Sequence, residues 1–206
     1  MKIGAFICML GAAALLQVSP FEARGEQADP AVAAAIGNLT DVSPDTRWKA
    51  ARALRELGAR ADAAVPALAR TAGADSSINV QVEAILALGA IGKRSPAAVD
   101  ALSGVVSGRT GVPAMWAVIA LGDAGAGAKA AVPTLVAFLE AQTDPEGMIL
   151  AIITLGRIGP SARPALPAIE KHLGDTRVVP EWGEVAERAR ASIELIRKSS
   201  LAVRQA

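Results

Sequence analysis

The chain has 206 residues, of which 52% are hydrophobic and 20% are charged, and its 21 Lys and Arg nearly balance 20 Asp and Glu. A chain of this length and apolar content can bury one sizeable core, which excludes intrinsic disorder. The neutral balance, the absence of Tyr and the presence of only three Phe and three Trp argue against a nucleic-acid binder, which shows a basic excess or stacking aromatic rings. Ala, Leu and Arg dominate the chain, and these residues favour helices over strands.

The N-terminal residues have the pattern of a secretory signal peptide. Lys2 precedes an apolar run of 14 residues, 3–16, which is shorter than the roughly 20 that a membrane-spanning helix needs. Small residues at Ala23 and Gly25 fit a signal peptidase site, so we predict cleavage after Gly25. Two alternatives are a buried first helix and an uncleaved anchor in the inner membrane.

Cleavage at this point predicts an exported, thiol-free domain. The lone Cys8 lies inside the apolar run, without the residues that precede a lipoprotein cysteine. Loss of Lys2, Arg24 and Glu22 leaves 19 basic and 19 acidic residues. A domain without thiols suits an oxidising compartment, and we expect it to be periplasmic or secreted, with no stable membrane insertion after cleavage.

A 19-residue motif recurs four times at intervals of 34, 33 and 34 residues. A fixed period of this length is the signature of a repeat array. The copies start at residues 50, 84, 117 and 151 and read AARALRELGARADAAVPAL, AILALGAIGKRSPAAVDAL, AVIALGDAGAGAKAAVPTL and AIITLGRIGPSARPALPAI. Each copy has a glycine where a first helix is predicted to end, because a left-handed closing residue costs least without a β-carbon. These glycines are Gly58, Gly92, Gly125 and Gly159.

Each copy predicts a helix, a turn and a second helix. Ala50 and Leu54 show the spacing of four residues that puts a small and a large apolar side chain on one helical face. After the turn, a Val-Pro pair such as Val65 and Pro66 opens the second helix, where proline is tolerated. The second helices have two apolar rows of their own. These rows are Leu68, Leu102, Leu135 and Ile169, and then Ala72, Val106, Leu139 and Leu173. We therefore predict an all-α fold, an α-solenoid of stacked antiparallel helix pairs with no β-sheet.

The motif resembles HEAT repeats, particularly the short subtype of phycobilisome-lyase-like proteins, in which an Ala/Leu first helix and a glycine precede Ala-Val-Pro-Ala-Leu. The resemblance covers residues 44–173 and implies a scaffold for protein interaction. The family's Asp and Val-Arg pair at the start of the first helix is present only in changed order, as Asp45, Arg47 and Trp48. Later units replace the arginine with Gln81, Ala114 and Met148.

The array of about four and a half repeats divides the chain into four segments. Residues 1–25 are the predicted signal peptide, and 26–43 contain an N-terminal capping helix at 30–41. Four HEAT-like repeats span 44–176, and 177–206 form a C-terminal capping helix with a tail. The capping helix at 184–197 is strongly charged, as expected for the outer face of a terminal repeat.

The sequence predicts no catalytic, cofactor or metal site. His172 is the only histidine, so one chain cannot form a two-histidine metal site, and a Ser/His/Asp triad would depend on this residue alone. There is no GxxxxGK[ST] phosphate loop, and GDAGAG at 122–127 is a repeat turn. We predict that the protein is not an enzyme.

A stripe of exposed positions on the second helices is the predicted binding site for an unidentified protein or peptide. It runs along the concave surface on which such superhelices usually bind, with small residues between two cations. The stripe consists of Arg70, Gly104, Ala137 and Lys171. In addition, the first unit carries six cations against three acids, which either orient an acidic partner or cover a terminal repeat. The six cations are Arg47, Lys49, Arg52, Arg55, Arg60 and Arg70.

These observations favour an exported, non-catalytic protein-interaction scaffold, either a monomer or a subunit of a hetero-complex. The first alternative, implied by the resemblance, is a bilin or tetrapyrrole lyase-like protein. The second is an accessory subunit of a larger complex, tethered to the membrane by residues 3–18.

Overall fold

A computed structural model describes residues 29–198. The predicted signal peptide, its cleavage site after Gly25 and most of the predicted tail lie outside the described residues. Ten α-helices follow one another along the described chain. They are α1 (Pro30–Asn38), α2 (Pro44–Leu57), α3 (Val65–Ala74), α4 (Ile78–Gly92), α5 (Pro96–Gly108), α6 (Val112–Ala124), α7 (Val132–Ala141), α8 (Pro145–Ile158), α9 (Leu166–Glu170) and α10 (Val185–Lys198).

The helices form a two-layered α-solenoid, as the repeat predicts. The first helices α2, α4, α6 and α8 pack side by side in one layer, and the second helices α3, α5, α7 and α9 pack in the other. Helix α1 packs against α2 at one end, and α10 packs against α8 at the other. A single apolar core runs between the layers from Val32 to Ile196.

Glycines bring the first helices close together. A β-carbon on Gly89 of α4 would lie 2.9 Å from the β-carbon of Ala120 on α6. A β-carbon on Gly156 of α8 would lie 2.7 Å from Oγ of Ser192 on α10. Both distances are shorter than real Cβ contacts, so these crossings need a residue without a side chain. The first-helix layer is therefore tightly packed.

Three of the four predicted turns share one geometry. Gly58, Gly125 and Gly159 have φ angles of 54°, 57° and 74°, which lie in the left-handed region that glycine adopts without strain. Each opens a 3₁₀ segment of seven residues that leads into the second helix. Those second helices begin at the predicted Val or Leu, with proline in the first turn.

The turn of the second unit differs from the prediction. Gly92 is the last residue of α4 rather than a left-handed residue after it, and α5 begins at Pro96 instead of Val99. The oxygen of the Ser95 side chain accepts a 3.4 Å hydrogen bond from the amide of Ala98. Since a serine cap followed by proline starts a helix efficiently, α5 begins one turn early and no 3₁₀ segment forms.

The apolar rows of the second helices are buried except at the last position. Leu68, Leu102 and Leu135 have no solvent exposure. Leu173 is 37% exposed, so the prediction that it continues the second row is wrong. Helix α9 ends at Glu170, and residue 173 therefore lies in a turn beyond the helical face that would bury it.

A small β-hairpin corrects the prediction that the chain has no β-sheet. Strand β1 (Val178–Val179) pairs antiparallel with β2 (Gly183–Glu184). The hairpin lies in the extra residues between the fourth unit and α10, where two β-branched valines favour extended backbone. Gly183 supports the turn with a φ of 85°. Residues 84–102 contain no strand, so the register of the repeats stands.

Candidate interaction surfaces

The four residues of the predicted stripe lie on the exposed side of the second-helix layer. Arg70 is on α3, Gly104 on α5, Ala137 on α7, and Lys171 directly follows α9. All four are exposed. A β-carbon on Gly104 would meet no atom within 4 Å, so this glycine leaves open space and does not serve helix packing.

Three of these residues line grooves between successive second helices. Arg70 lines a groove of about 440 Å³ between α1 and α3. Ala137 lines a groove of about 560 Å³ between α5, α6 and α7. Lys171 lines a groove of about 370 Å³ beside α7. The stripe therefore follows a series of depressions in the second-helix layer.

The groove that contains Ala137, here called the central groove, is mainly apolar. Met115 and Phe138 form part of its wall, and Ala114 and Ala141 add small side chains. Arg109 and Asp144 supply opposite charges at its edge. Apolar walls with a few polar groups are the usual composition of a binding site.

The polar side-chain contact seen at the first two unit boundaries does not continue at the central groove. Arg47 pairs with Asp75 across the first two units, with Nε 2.7 Å from Oδ2. At the next boundary, Nη2 of Arg109 donates a 3.4 Å hydrogen bond to Oε1 of Gln81. The third unit has Ala114 at this register, which offers no polar atom, and Ala114 lines the groove.

The Arg47–Asp75 pair is a largely buried ion pair between the first two units. Nη2 of Arg47 donates a second hydrogen bond of 2.8 Å to Oδ1 of Asp75, and both side chains are largely buried. The hydrogen bond from Arg47 holds the pKa of the Asp75 carboxyl below its usual value. The same bond raises the pKa of Arg47. Both charges are therefore present at neutral pH.

The excess of cations in the first unit is matched by acids from neighbouring elements. Of the six predicted cations, five form salt bridges and only Arg70 has none within residues 29–198. The pairs are Arg47–Asp75, Lys49–Asp45, Arg52–Glu56, Arg55–Glu83 and Arg60–Asp29. This pairing favours the interpretation that the arginines cover a terminal repeat. At the other end of the stripe, Nζ of Lys171 lies 2.8 Å from Oε1 of Glu140.

His172 lies half-buried beside the same groove as Lys171. Burial lowers the pKa of its imidazole, although the carboxylate of Asp175 acts in the opposite direction. The nearest approach of these two side chains is 4.0 Å. The described residues hold no group of three or more His, Cys, Asp or Glu side chains that could bind a metal ion.

One apolar stretch, Val112–Ala141, is long enough to cross a membrane by length and composition. It comprises α6, a 3₁₀ segment and α7. Leu121 and Leu135 within it are fully buried between the layers of the solenoid. The stretch is part of the core in this structure.

The structure shows a further groove on the first helices. The amino-terminal ends of α2, α4 and α6 line an open groove of about 730 Å³. Its apolar lining includes Trp48, Ile78, Val82, Val112 and Trp116. Counting along the repeat does not predict it, because Val112 and Trp116 lie one residue past the register of Ile78 and Val82.

Comparisons with known proteins agree with this fold. A family model described as HEAT repeats matches residues 30–122. A search of curated proteins finds no match. An engineered protein from the Northeast Structural Genomics Consortium is similar in structure, with a TM-score of 0.55 and 22% identity over 80% of this chain and 78% of that chain.

A second similar structure is the complex of CpcE and CpcF of phycocyanin lyase from Nostoc sp. PCC7120. The TM-score is 0.63 and the identity 22%, and the alignment covers 82% of this chain and 66% of that chain. At this identity the likeness concerns the fold alone. The family match extends from α1 into α6 and the same helix-pair geometry continues to α9, so the described chain has the fold of a HEAT-repeat array.

Proposed function

We propose that the protein is a non-catalytic scaffold that binds an extended segment or a helix of a partner protein along the stripe of second helices. The central groove is the observation that carries this proposal. It combines a volume of about 560 Å³ with apolar walls, and Ala137 of the stripe forms part of its lining. Repeat proteins of this kind use a continuous surface across several units for binding, and we infer that on this chain it is the concave surface of the second helices.

The two ends of the stripe differ in charge. Arg70 forms no salt bridge with any residue between 29 and 198, whereas Lys171 is paired with Glu140. An acidic group of the partner therefore meets an uncompensated cation at Arg70. At Lys171 it has to compete with Glu140. We expect the acidic end of the partner to lie near α3.

Site-specific photocrosslinking tests the position of the site. A photoreactive amino acid is placed at Ala137, at Gly104 and, as a control, at the exposed Ala53 on the first helix α2. We expect the first two positions to capture the same protein in the native compartment and position 53 to capture none of it. Equal capture from position 53 would contradict a site on the second helices.

Charge reversal then tests the role of Arg70 with the captured partner. Arg70→Glu is expected to weaken binding about tenfold, because a charge-assisted contact is replaced by repulsion. Lys129→Glu is the control, since Lys129 is exposed in a turn and forms no salt bridge within the described part of the chain. Equal losses in both variants would indicate a response to overall charge.

Tetrapyrrole handling is the second candidate, favoured by the structural similarity to the complex of CpcE and CpcF. An absorbance scan of the protein after incubation with bilin and gel filtration separates the two candidates. The scaffold proposal predicts no retained visible band. A retained band would favour a lyase-like function.

Export is part of the same proposal, supported by the pattern of residues 1–25. Mass spectrometry of the native N-terminus tests it. We expect a chain that begins at Glu26 and is found in the periplasm or the medium. An intact Met1 in the membrane fraction would favour the membrane-tethered accessory subunit.

A further inference from the structure

The central groove holds a cation that no carboxylate neutralises within residues 29–198. Arg109 is exposed in the turn between α5 and α6 and lines the groove. It forms no salt bridge with a described residue, and its one side-chain hydrogen bond among them is the 3.4 Å contact to Oε1 of Gln81. A guanidinium has five N–H donors, and a neutral amide oxygen leaves its charge uncompensated. Arg109 can therefore bind a carboxylate of a ligand.

Gln81 positions the guanidinium of Arg109 beside the groove. It lies on α4, is only 7% exposed, and its Nε2 donates a hydrogen bond to the backbone oxygen of Asp75. Its Oε1 is therefore a fixed acceptor for one nitrogen of Arg109. A guanidinium oriented in this way loses less freedom when it binds a carboxylate.

The other charged side chain of the central groove, Asp144, is already engaged at the start of α8. Its Oδ1 accepts a 2.8 Å hydrogen bond from the amide of Gly147, which caps the helix. Its charge also has a cation nearby, because the pKa of Arg177 is raised mainly by a hydrogen bond to Asp175 and to a smaller extent by Asp144. No salt bridge joins Asp144 to Arg109 in the described part of the chain. The charge that remains available to a ligand is therefore the cation of Arg109.

Met115 and Phe138 form an apolar wall in the same groove. Both are partly buried and pack against the core, which holds them in place on α6 and α7. Ala137 is exposed in the lining and leaves open volume there. A large apolar side chain of a ligand can pack in this volume against an adaptable thioether and an aromatic ring. The groove thus matches a ligand that has a negative and an apolar group close together.

The surroundings of the groove favour a polypeptide segment as this ligand. Asp144 in the groove and Glu140 in the next groove along α7 would repel the closely spaced phosphates of a nucleic acid. The stripe continues on both sides, in the grooves that Arg70 and Lys171 line. A segment that follows the stripe passes through the central groove, so its carboxylate belongs to a side chain and not to a chain terminus.

We propose that the central groove binds an acidic residue that lies close in sequence to a large apolar residue of a partner polypeptide. The carboxylate pairs with Arg109, and the apolar side chain packs between Met115 and Phe138. This inference rests on the scaffold function proposed above and specifies the ligand of that site. The acidic residue at Arg109 is additional to the acidic group expected at Arg70.

Selection from a phage-displayed library of random decapeptides, with the full chain as bait, tests the proposal. We expect the enriched peptides to share an Asp or Glu close to a Leu, Ile, Phe or Met. Enriched peptides without an acidic residue would overturn this inference and leave the scaffold function standing. An absence of enriched peptides would also overturn it, and photocrosslinking from Ala137 then decides the scaffold function separately.

A double-mutant cycle tests the contact between the peptide carboxylate and Arg109. An enriched peptide is synthesised with its acidic residue and with the corresponding amide, and fluorescence anisotropy measures the Kd of each for the original chain and for Arg109→Gln. Each single change is expected to weaken binding about tenfold. Both changes together should cost no more than one, because the same contact is lost. Additive losses would overturn the contact with Arg109.

Further variants separate the groove from overall charge. Arg163→Gln is the matched control, because Arg163 is exposed in the 3₁₀ segment before α9, and it should leave the Kd unchanged. Ala137→Trp fills the groove without removing a core atom and should abolish binding. Ala53→Trp, at an exposed position of α2, should not change the Kd. Unchanged affinity in Ala137→Trp, or an equal loss in Arg163→Gln and Arg109→Gln, would overturn the proposal.

Discussion

Leu121 lies in the last turn and a half of α6 and has no solvent exposure. An aspartate at this position would place an unpaired charge in the core between repeats, at a cost of several kcal/mol. We predict that Leu121→Asp unfolds the central units at room temperature. Leu88 on α4 is equally buried, and Leu88→Asp is expected to have the same effect.

Leu195→Asp is the matched control for these variants, because Leu195 on α10 is 50% exposed. A substitution at such a site changes the free energy of unfolding by about 0.5 kcal/mol or less. Melting curves followed by circular dichroism measure both effects. An unchanged Tm in Leu121→Asp would show that this leucine is not a core residue.

The Arg47–Asp75 pair makes the free energy of unfolding depend on pH in the acidic range. Since the hydrogen bond from Arg47 lowers the pKa of Asp75 in the folded state, the unfolded state binds a proton more readily. The pair therefore stabilises the fold above the usual pKa of aspartate, and this contribution is lost as the pH falls below about 4. The pKa of Asp175 is lowered to about 2 by the hydrogen bond from Arg177, so the stability that this carboxylate contributes is lost at still lower pH.

We predict that Asp75→Asn lowers the Tm at pH 7 and that the difference from the original chain shrinks as the pH falls below about 4, the usual pKa of aspartate. The control is Asp62→Asn, because Asp62 is exposed in the first 3₁₀ segment. Thermal unfolding across this pH range measures both variants. A difference in Tm that stays constant with pH would rule out the pair as its source.

Substitution by alanine should lower stability at a glycine that lies between packed helices and raise it at a glycine that faces open space. Gly89→Ala puts a β-carbon 2.9 Å from that of Ala120 and should cost about 1–3 kcal/mol through overpacking. Gly104 lies within α5 and has free space around it. Gly104→Ala should raise stability by about 0.5–1 kcal/mol, because alanine has the higher helix propensity. Urea unfolding measures both, and destabilisation by Gly104→Ala would show that its surroundings are not open.

The helix pairs could be predicted from the sequence because each unit repeats the same physical requirements. An Ala-to-Leu spacing, a glycine and a Val-Pro pair are local signals, and they locate α2, α3, α6, α7 and α8 closely. The start of the second helix in the second unit was predicted wrongly, because Ser95 and Pro96 form a competing helix start. The hairpin at 178–184 was not predicted, because two-residue strands carry almost no periodic signal.

The candidate sites were only partly predictable for a different reason. The stripe of second helices follows from counting along the repeat, and the structure shows its four residues exposed. The central groove is lined by residues of α5, α6 and α7 together, so it could be located only when neighbouring units are in place. The groove across α2, α4 and α6 could not be predicted from the repeat, because Trp116 lies one residue past the register of Trp48 and Val82, where the repeat has Met115.

At the scale of the whole molecule, α10 completes the array by covering α8, the last helix of the first-helix layer. It packs against α8, and its Val185, Ala189 and Ile196 are fully buried. We predict that removal of residues 178–206 lowers the Tm and broadens the unfolding transition, because repeat arrays need a terminal unit with a polar outer face. Glu194→Gln on the exposed face of α10 is the control and should leave the transition unchanged. An unaltered transition after truncation would show that α8 needs no cover.

The contrast between the two layers has a mechanical consequence. Gly89 against Ala120 and Gly156 against Ser192 fix the separation of neighbouring first helices, whereas grooves separate the second helices. Bending of such an array has to hinge on the tightly packed layer, since atoms already in contact cannot approach further. Flexing therefore changes the width of the central groove more than that of the groove across α2, α4 and α6, whose helices keep a fixed separation.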